Sequence, residues 1–191
     1  MHTHCLGAYM IEVEKHNWDG VGDLMLSSAK KLHAAGAQIL ICPDNTIHQA
    51  FDYVAKRSPL PWLHIANVVM DKAKELGLHH LGVLGTKYLM EGPVYATAAV
   101  SAGITLSIPS EERRRQISQI IFSELVKGIF KSESIKVFTD TIDYFKEQGC
   151  DGVVLGCTEI PLIISAENSS LPPLDSTRLL ARAALQWATE Q

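Results

Sequence analysis

At 191 residues, with 47% hydrophobic and 20% charged side chains, the chain is long enough to bury a sizeable core and too apolar to be mainly disordered. A net charge of −4 leaves no basic field to neutralise phosphates, so nucleic-acid binding is not expected; Arg113, Arg114 and Arg115 form one short run that reads as a solvated helix face. No apolar run of about 18 residues spans a bilayer, and MHTHCLGAYM lacks the pattern of a secretion signal. A cytoplasmic protein with reduced thiols is expected, and its four cysteines show neither C-x-x-C nor zinc spacing.

Taken in chain order, GDLMLSSAKKLHAA (22–35) has helical spacing, with Leu24, Ser28, Leu32 and Ala35 on one face and Gly36 ending it. AQILICPD (37–44) is a branched apolar run stopped by a proline, the mark of a buried parallel strand. Residues 63–76 read as a helix closed by Gly77, 80–86 as a second strand, and 92–102 as a helix. Gly103 with ITLSIP gives a third strand, followed by helices over 111–127 and 136–148, the latter ended by Gly149. CDGVVLGC (150–157) is a fourth strand, and residues 176–190 form a final helix capped by Asp175 or Ser176. Alternating helices and strands with short turns predict an α/β protein with parallel sheets.

An internal repeat links two of these units. AGAQILICPDNT (35–46) aligns without gaps with QGCDGVVLGCTE (148–159), at an offset of 113 residues. Gly36 matches Gly149, Ile39 to Cys42 match Gly152 to Leu155, Asp44 matches Cys157 and Asn45 matches Thr158. Each copy is helix, glycine turn, buried strand and a polar cluster at the strand's carboxyl end, where ligands bind in α/β folds. Facing copies would place Asp44 and Cys157 on either side of one cleft.

The motifs Asp44-Asn45-Thr46-Ile47-His48 and Gly156-Cys157-Thr158-Glu159-Ile160 resemble the paired signatures of the aspartate/glutamate racemase family. Gly82-Val83-Leu84-Gly85-Thr86 and Leu174-Asp175-Ser176-Thr177-Arg178 add weaker matches. The resemblance implies two pseudo-symmetric parallel-sheet α/β lobes with the active site in the cleft between them. It places residues 1–77 plus 172–191 in the first lobe and 78–171 in the second. It also implies no cofactor, no bound metal, a small amino acid or carboxylate as substrate, and a homodimer.

Two departures stand out. Family members carry a cysteine in each half; here Cys157 fits the second position and Asp44 occupies the first. Members also begin with a further βα unit whose Gly-rich loop lines the site, whereas residues 2–14 resemble the family's second strand. An incomplete first lobe with unpaired backbone edges, or a partner segment filling the gap, is therefore expected.

A two-base racemase needs acid/base groups on opposite faces of the α-carbon. Cys157 suits one face, since a helix N-terminus can lower a thiol's pKa. Asp44 would complete the pair if burial raises its carboxyl; otherwise the reaction would run mainly in one direction. An anion at position 44 would also repel a side-chain carboxylate and attract a cation. Asn45, Thr46, Thr86 and Thr158, with backbone N–H groups, could hold the substrate carboxylate and stabilise an enolate-like intermediate. Glu159 or His48 could orient a thiol or engage the substrate ammonium.

Plainer readings compete. Asp44 could be only a helix cap, and so could His48. Cys42, two residues before Asp44, could serve as the thiol, but the repeat sets it opposite Leu155, a core position. Cys150 reads as packing, and Cys5 has no assigned role. His79 and His80 would point to opposite faces of a strand, and His2 and His4 lack a third ligand. Three functions remain open: a PLP-independent racemase for aspartate, glutamate or a related amino acid; a one-thiol relative resembling the arylmalonate decarboxylases; or a non-catalytic carboxylate-binding paralogue.

Overall fold

The computed structural model describes residues 1–190. The chain starts with a helix, α1 (Leu6–Glu14), within the segment expected to resemble a strand. Its spacing explains the difference: Leu6, Tyr9, Met10 and Val13 recur at i, i+3, i+4 and i+7, a helical stripe rather than a period of two. Helix α2 (Trp18–Ala34) comes next, its first turn capped by the Asn17 side chain, which accepts from Gly20 N–H at 3.2 Å.

Gly36 and Gly149, the matched helix stops of the repeat, both adopt positive φ (87° and 82°), which costs glycine nothing and most residues a clash. After Gly36 the expected strand over 37–44 shrinks to a single bridge between Leu40 and Trp62. Leu40 N–H donates to the Pro61 carbonyl at 2.9 Å, and Leu63 N–H donates to the Leu40 carbonyl at 3.1 Å. On one side the ladder cannot continue because Pro61 has no N–H to offer, and on the other the partner segment turns into a helix at Ile65. The apolar run is as predicted, but a strand exists only where a second backbone meets it.

A 3₁₀ turn (Thr46–Ala50), α3 (Phe51–Ala55) and α4 (Ile65–Glu75) lead into the sheet. It is built from β1 (His80–Leu84), β2 (Thr105–Ser107), β3 (Gly152–Leu155) and β4 (Pro173–Asp175), in the order β2-β1-β3-β4 with every pair parallel. Between them run α5 (Lys87–Glu91), α6 (Pro93–Ala102), α7 (Glu111–Ser123) and α8 (Ser132–Glu147), and α9 (Ser176–Thr189) ends the fold. The α/β class with a parallel sheet is thus present. β4 has no counterpart in the sequence reading. Two consecutive prolines hide it, and its edge position tolerates them. It extends the sheet from within the segment expected to return to the first lobe, and α9 then packs on α4.

Side chains alternate across the sheet. Leu81, Val83 and Val154 pack against α4, α6 and Leu179 of α9, whereas Leu84, Val153 and Leu155 pack against α7 and α8. Gly82 lets α8 approach: a Cβ there would lie 2.2 Å from the Phe145 ring. A separate cluster, with Val13, Val21, Met25, Leu26 and Val54, joins α1, α2 and α3. No helix among the described residues is long and apolar enough to cross a membrane.

The connection from β1 goes out to β2 and then returns past β1 to β3. The carboxyl ends of β1 and β3 are therefore a topological switch point, where the flanking crossovers diverge and leave a crevice.

Candidate active site

Thr86 lies just past β1 and Cys157 just past β3, so both stand at the switch point. The two strand ends are tied by Gly156 N–H, which donates to the Leu84 carbonyl at 2.8 Å. The loop 43–47 closes the opposite side, and the Thr46 and Thr86 hydroxyls meet across the gap at 3.3 Å. Between them lies a cavity of about 310 Å³. Its polar end is formed by Asp44, Asn45, Thr46, Thr86, Cys157, Thr158 and Glu159. Its walls include Leu6, Tyr9, Met10 and Val13 from α1, Ile121 and Phe122 from α7, Val126 after it, and Tyr88.

The two copies of the repeat thus bring Asp44 and Cys157 to one cavity. Asp44 Oδ1 accepts from Ile47 N–H at 3.1 Å, so it does cap the 3₁₀ turn. Although Asp44 is exposed to the cleft, the surrounding walls strip its carboxyl of bulk water and raise its pKa. The N–H groups of Ile47 and Thr46 oppose that shift, and Glu159 adds to it.

The half-buried Cys157 thiol donates to Glu159 Oε2 at 2.9 Å, and the Thr158 hydroxyl donates to the same oxygen at 2.7 Å. Burial pushes the thiol well above its ordinary value, and the charges of Glu159 and Asp44 push it further. The sequence pointed to a helix N-terminus that would lower this pKa. The chain beyond Cys157 forms only a three-residue 3₁₀ turn, Ile160–Leu162, and the adjacent carboxylate outweighs it. Cys157 is therefore held as a neutral thiol.

Asn45 is buried, with 2% exposure, and its side chain is engaged on both sides. The Tyr95 hydroxyl donates to Asn45 Oδ1 at 2.7 Å. Asn45 Nδ2 donates to Ser176 Oγ at 3.0 Å, and that hydroxyl donates to the Leu155 carbonyl at 2.9 Å. This chain of bonds fastens the Asp44 loop to α6, α9 and the end of β3. The sequence singled out neither Tyr95 nor the bond to Ser176; the Leu-Asp-Ser-Thr-Arg run was the available signal.

His48 stands apart from the cavity. It is buried, stacked on Phe51, and donates through Nδ1 to the Asp44 carbonyl at 2.7 Å. Its Nε2 has no protein partner among the described residues. Burial, with the neighbouring His64, depresses its pKa to about 3. His48 therefore shapes the loop that carries Asp44. Cys42 is also absent from the cavity wall; burial first, then the Asp44 charge, push its thiol up to about 12. Among the described residues no group of three or more His, Cys, Asp or Glu is placed to hold a metal ion.

The Asp/Glu/hydantoin racemase family model matches residues 2–184. A Yersinia pestis protein assigned to the Asp/Glu racemases has a crystal structure similar to this one, with a TM-score of 0.88 and 31% identity, covering 97% of this chain and 81% of that one. The broad specificity amino-acid racemase RacX of Bacillus subtilis (strain 168) is 20% identical over 167 residues, 87% of this chain and 72% of that one. An arylmalonate decarboxylase variant shares the fold at a TM-score of 0.58 and 16% identity, covering 90% of this chain and 76% of that one.

Proposed function

The chain belongs to the Asp/Glu/hydantoin racemase family, and on that premise we propose that it is a PLP-independent amino-acid racemase in which Asp44 and Cys157 exchange the α-proton. The observation that carries this reading is that these two matched positions line one cavity, where the Asp44 charge raises the pKa of the Cys157 thiol. The raised pKa of Asp44 makes it a stronger base than an ordinary aspartate, and the neutral Cys157 holds a proton to deliver. In the productive direction Asp44 removes the α-proton and Cys157 returns one to the other face. A substrate ammonium near Asp44 and Glu159 would offset the charges that hold the thiol neutral, which favours the reverse step. Thr46 and Thr86 supply hydroxyls for the substrate carboxylate, Thr158 and Glu159 position the thiol, and His48 and Asn45 fix the loop.

The test is incubation with L- and D-amino acids in D₂O, following the α-proton by NMR. Loss of the signal with appearance of the opposite enantiomer supports the two-base reading. Unchanged turnover in Cys157→Ala would remove the thiol from the mechanism. A second reading rests on one feature: Cys157 is the only cysteine among the residues lining the cavity. A single thiol protonating one face of an enolate suits a decarboxylase acting on a malonate, and CO₂ release would identify it. The homodimer expected from the family is checked by light scattering of the purified protein.

A further inference from the structure

The cavity is divided by chemistry. Every ionisable group at its polar end is an acid: Asp44, Cys157 and Glu159. Among the described residues no Lys, Arg or His lines it. Lys87 and Arg115 line instead a neighbouring cavity that shares Leu6, Met10, Tyr88 and Phe122 with this one. The Lys87 ammonium lies 4.9 Å from the centroid of the Tyr88 ring, and Arg115 pairs with Glu111 one turn earlier on α7. Apart from the Tyr9 and Tyr88 hydroxyls, the rest of the lining is mainly hydrocarbon: Leu6, Met10 and Val13 of α1, Ile121 and Phe122 of α7, and Val126.

A dicarboxylic substrate would bring a second carboxylate into this space. It would find two carboxylates, Asp44 and Glu159, and a mainly apolar lining, with no cation among the lining residues to replace the water it lost. An apolar side chain would instead cover Met10, Ile121 and Phe122 and leave the polar end to the α-carboxylate and ammonium. Such a division, apolar body and few polar anchors, is what orients small ligands in pockets of this size.

We infer that the site takes an α-amino acid whose side chain is apolar, with Met10, Ile121, Phe122 and Val126 as its seat, rather than an acidic one. The inference rests on the racemase reading for its reaction but not for its specificity, and the two are tested separately.

The first readout is α-proton exchange in D₂O for both enantiomers of leucine, methionine, phenylalanine, aspartate, glutamate and lysine. The expected result is a kcat/KM at least tenfold higher for the best apolar substrate than for any charged one. Equal or faster exchange of aspartate, glutamate or lysine overturns the inference. The second readout is the thermal shift produced by two unreactive probes, 4-methylpentanoate and glutarate. The expected result is a rise in Tm with 4-methylpentanoate and none with glutarate. An equal or larger rise with glutarate, or no rise with either, overturns the inference.

If no amino acid exchanges while 4-methylpentanoate alone stabilises the protein, the racemase reading fails and the specificity stands. Val126→Arg gives a further check, because Val126 is 45% exposed and tolerates a longer side chain. Its guanidinium is expected to weaken the 4-methylpentanoate shift and create one with glutarate; an unchanged ligand preference counts against Val126 as part of the seat.

Discussion

The Cys157 thiol and the Glu159 carboxylate share a 2.9 Å hydrogen bond, with the sulfur as donor. This contact, on top of burial, keeps the thiol protonated. Replacing the carboxylate by an amide removes the charge and keeps the shape. Glu159→Gln is therefore expected to lower the Cys157 pKa, moving its alkylation to lower pH by roughly one pH unit. The pH dependence of iodoacetamide alkylation, compared with a Cys157→Ser control, reads that shift. An unmoved profile would mean that burial alone sets the thiol.

Asp44 caps the 3₁₀ turn through Ile47 N–H, and its proposed chemical role can be separated from that one. Asn accepts the same hydrogen bond but cannot serve as a base. Asp44→Asn is expected to retain near-native stability while losing α-proton exchange by roughly a hundredfold or more. Asp44→Ala also loses the cap, at about 0.5–2 kcal/mol. Full exchange activity in Asp44→Asn would reduce Asp44 to a cap.

Ser176 links Asn45 to the Leu155 carbonyl inside the protein. Ser176→Ala leaves a buried donor and a buried acceptor without their partner, a loss of about 1–3 kcal/mol. Urea unfolding measures it. Because the chain of bonds holds the Asp44 loop, kcat should fall as well, with the Cys157 alkylation profile unchanged.

His48 sets a pH dependence of stability. Its folded pKa, about 3, lies below the ordinary 6.5, so the unfolded chain binds the proton first as pH falls. The neutral imidazole's contribution is complete above about pH 6.5 and is lost progressively toward pH 3, at about 1.4 kcal/mol per pH unit. His64, shifted in the same direction by burial, adds to the slope. His48→Phe should flatten the dependence between pH 6.5 and 5 by about 2 kcal/mol. Equal slopes in the two proteins would contradict this account.

Gly82 sits under Phe145, and a methyl group there meets the ring at 2.2 Å. Gly82→Ala is expected to cost about 1–3 kcal/mol through overpacking. Combining it with Phe145→Leu should recover part of that loss, as a double-mutant cycle in urea would show.

From residue 63 onward most helices and strands were legible, though not α5 or β4, because hydrophobic period and glycine stops are local properties of a chain. The matched pair Asp44 and Cys157 was legible for the same reason, as a repeat carries its own alignment. Strand 37–44 was not, since its apolar residues specify a buried segment while pairing depends on a segment some twenty residues away, where Pro61 lacks an N–H and a helix starts at Ile65. α1 was obscured by reading residues 2–14 through a resemblance to a strand instead of through the spacing of Leu6, Met10 and Val13.

The sequence by itself determined an α/β chain with a parallel sheet, its family signatures and the two positions that face one cavity. Only the tertiary structure decided what surrounds them. It turned His48 away from the cavity and tied Asn45 to Tyr95 and Ser176. It also set a carboxylate against Cys157 and lined the rest mainly with hydrocarbon. The physical reason is that pKa, hydrogen bonding and ligand fit depend on atoms within a few ångströms in space. Residues as far apart as Asn45 and Ser176 become neighbours only when the sheet and its helices are assembled.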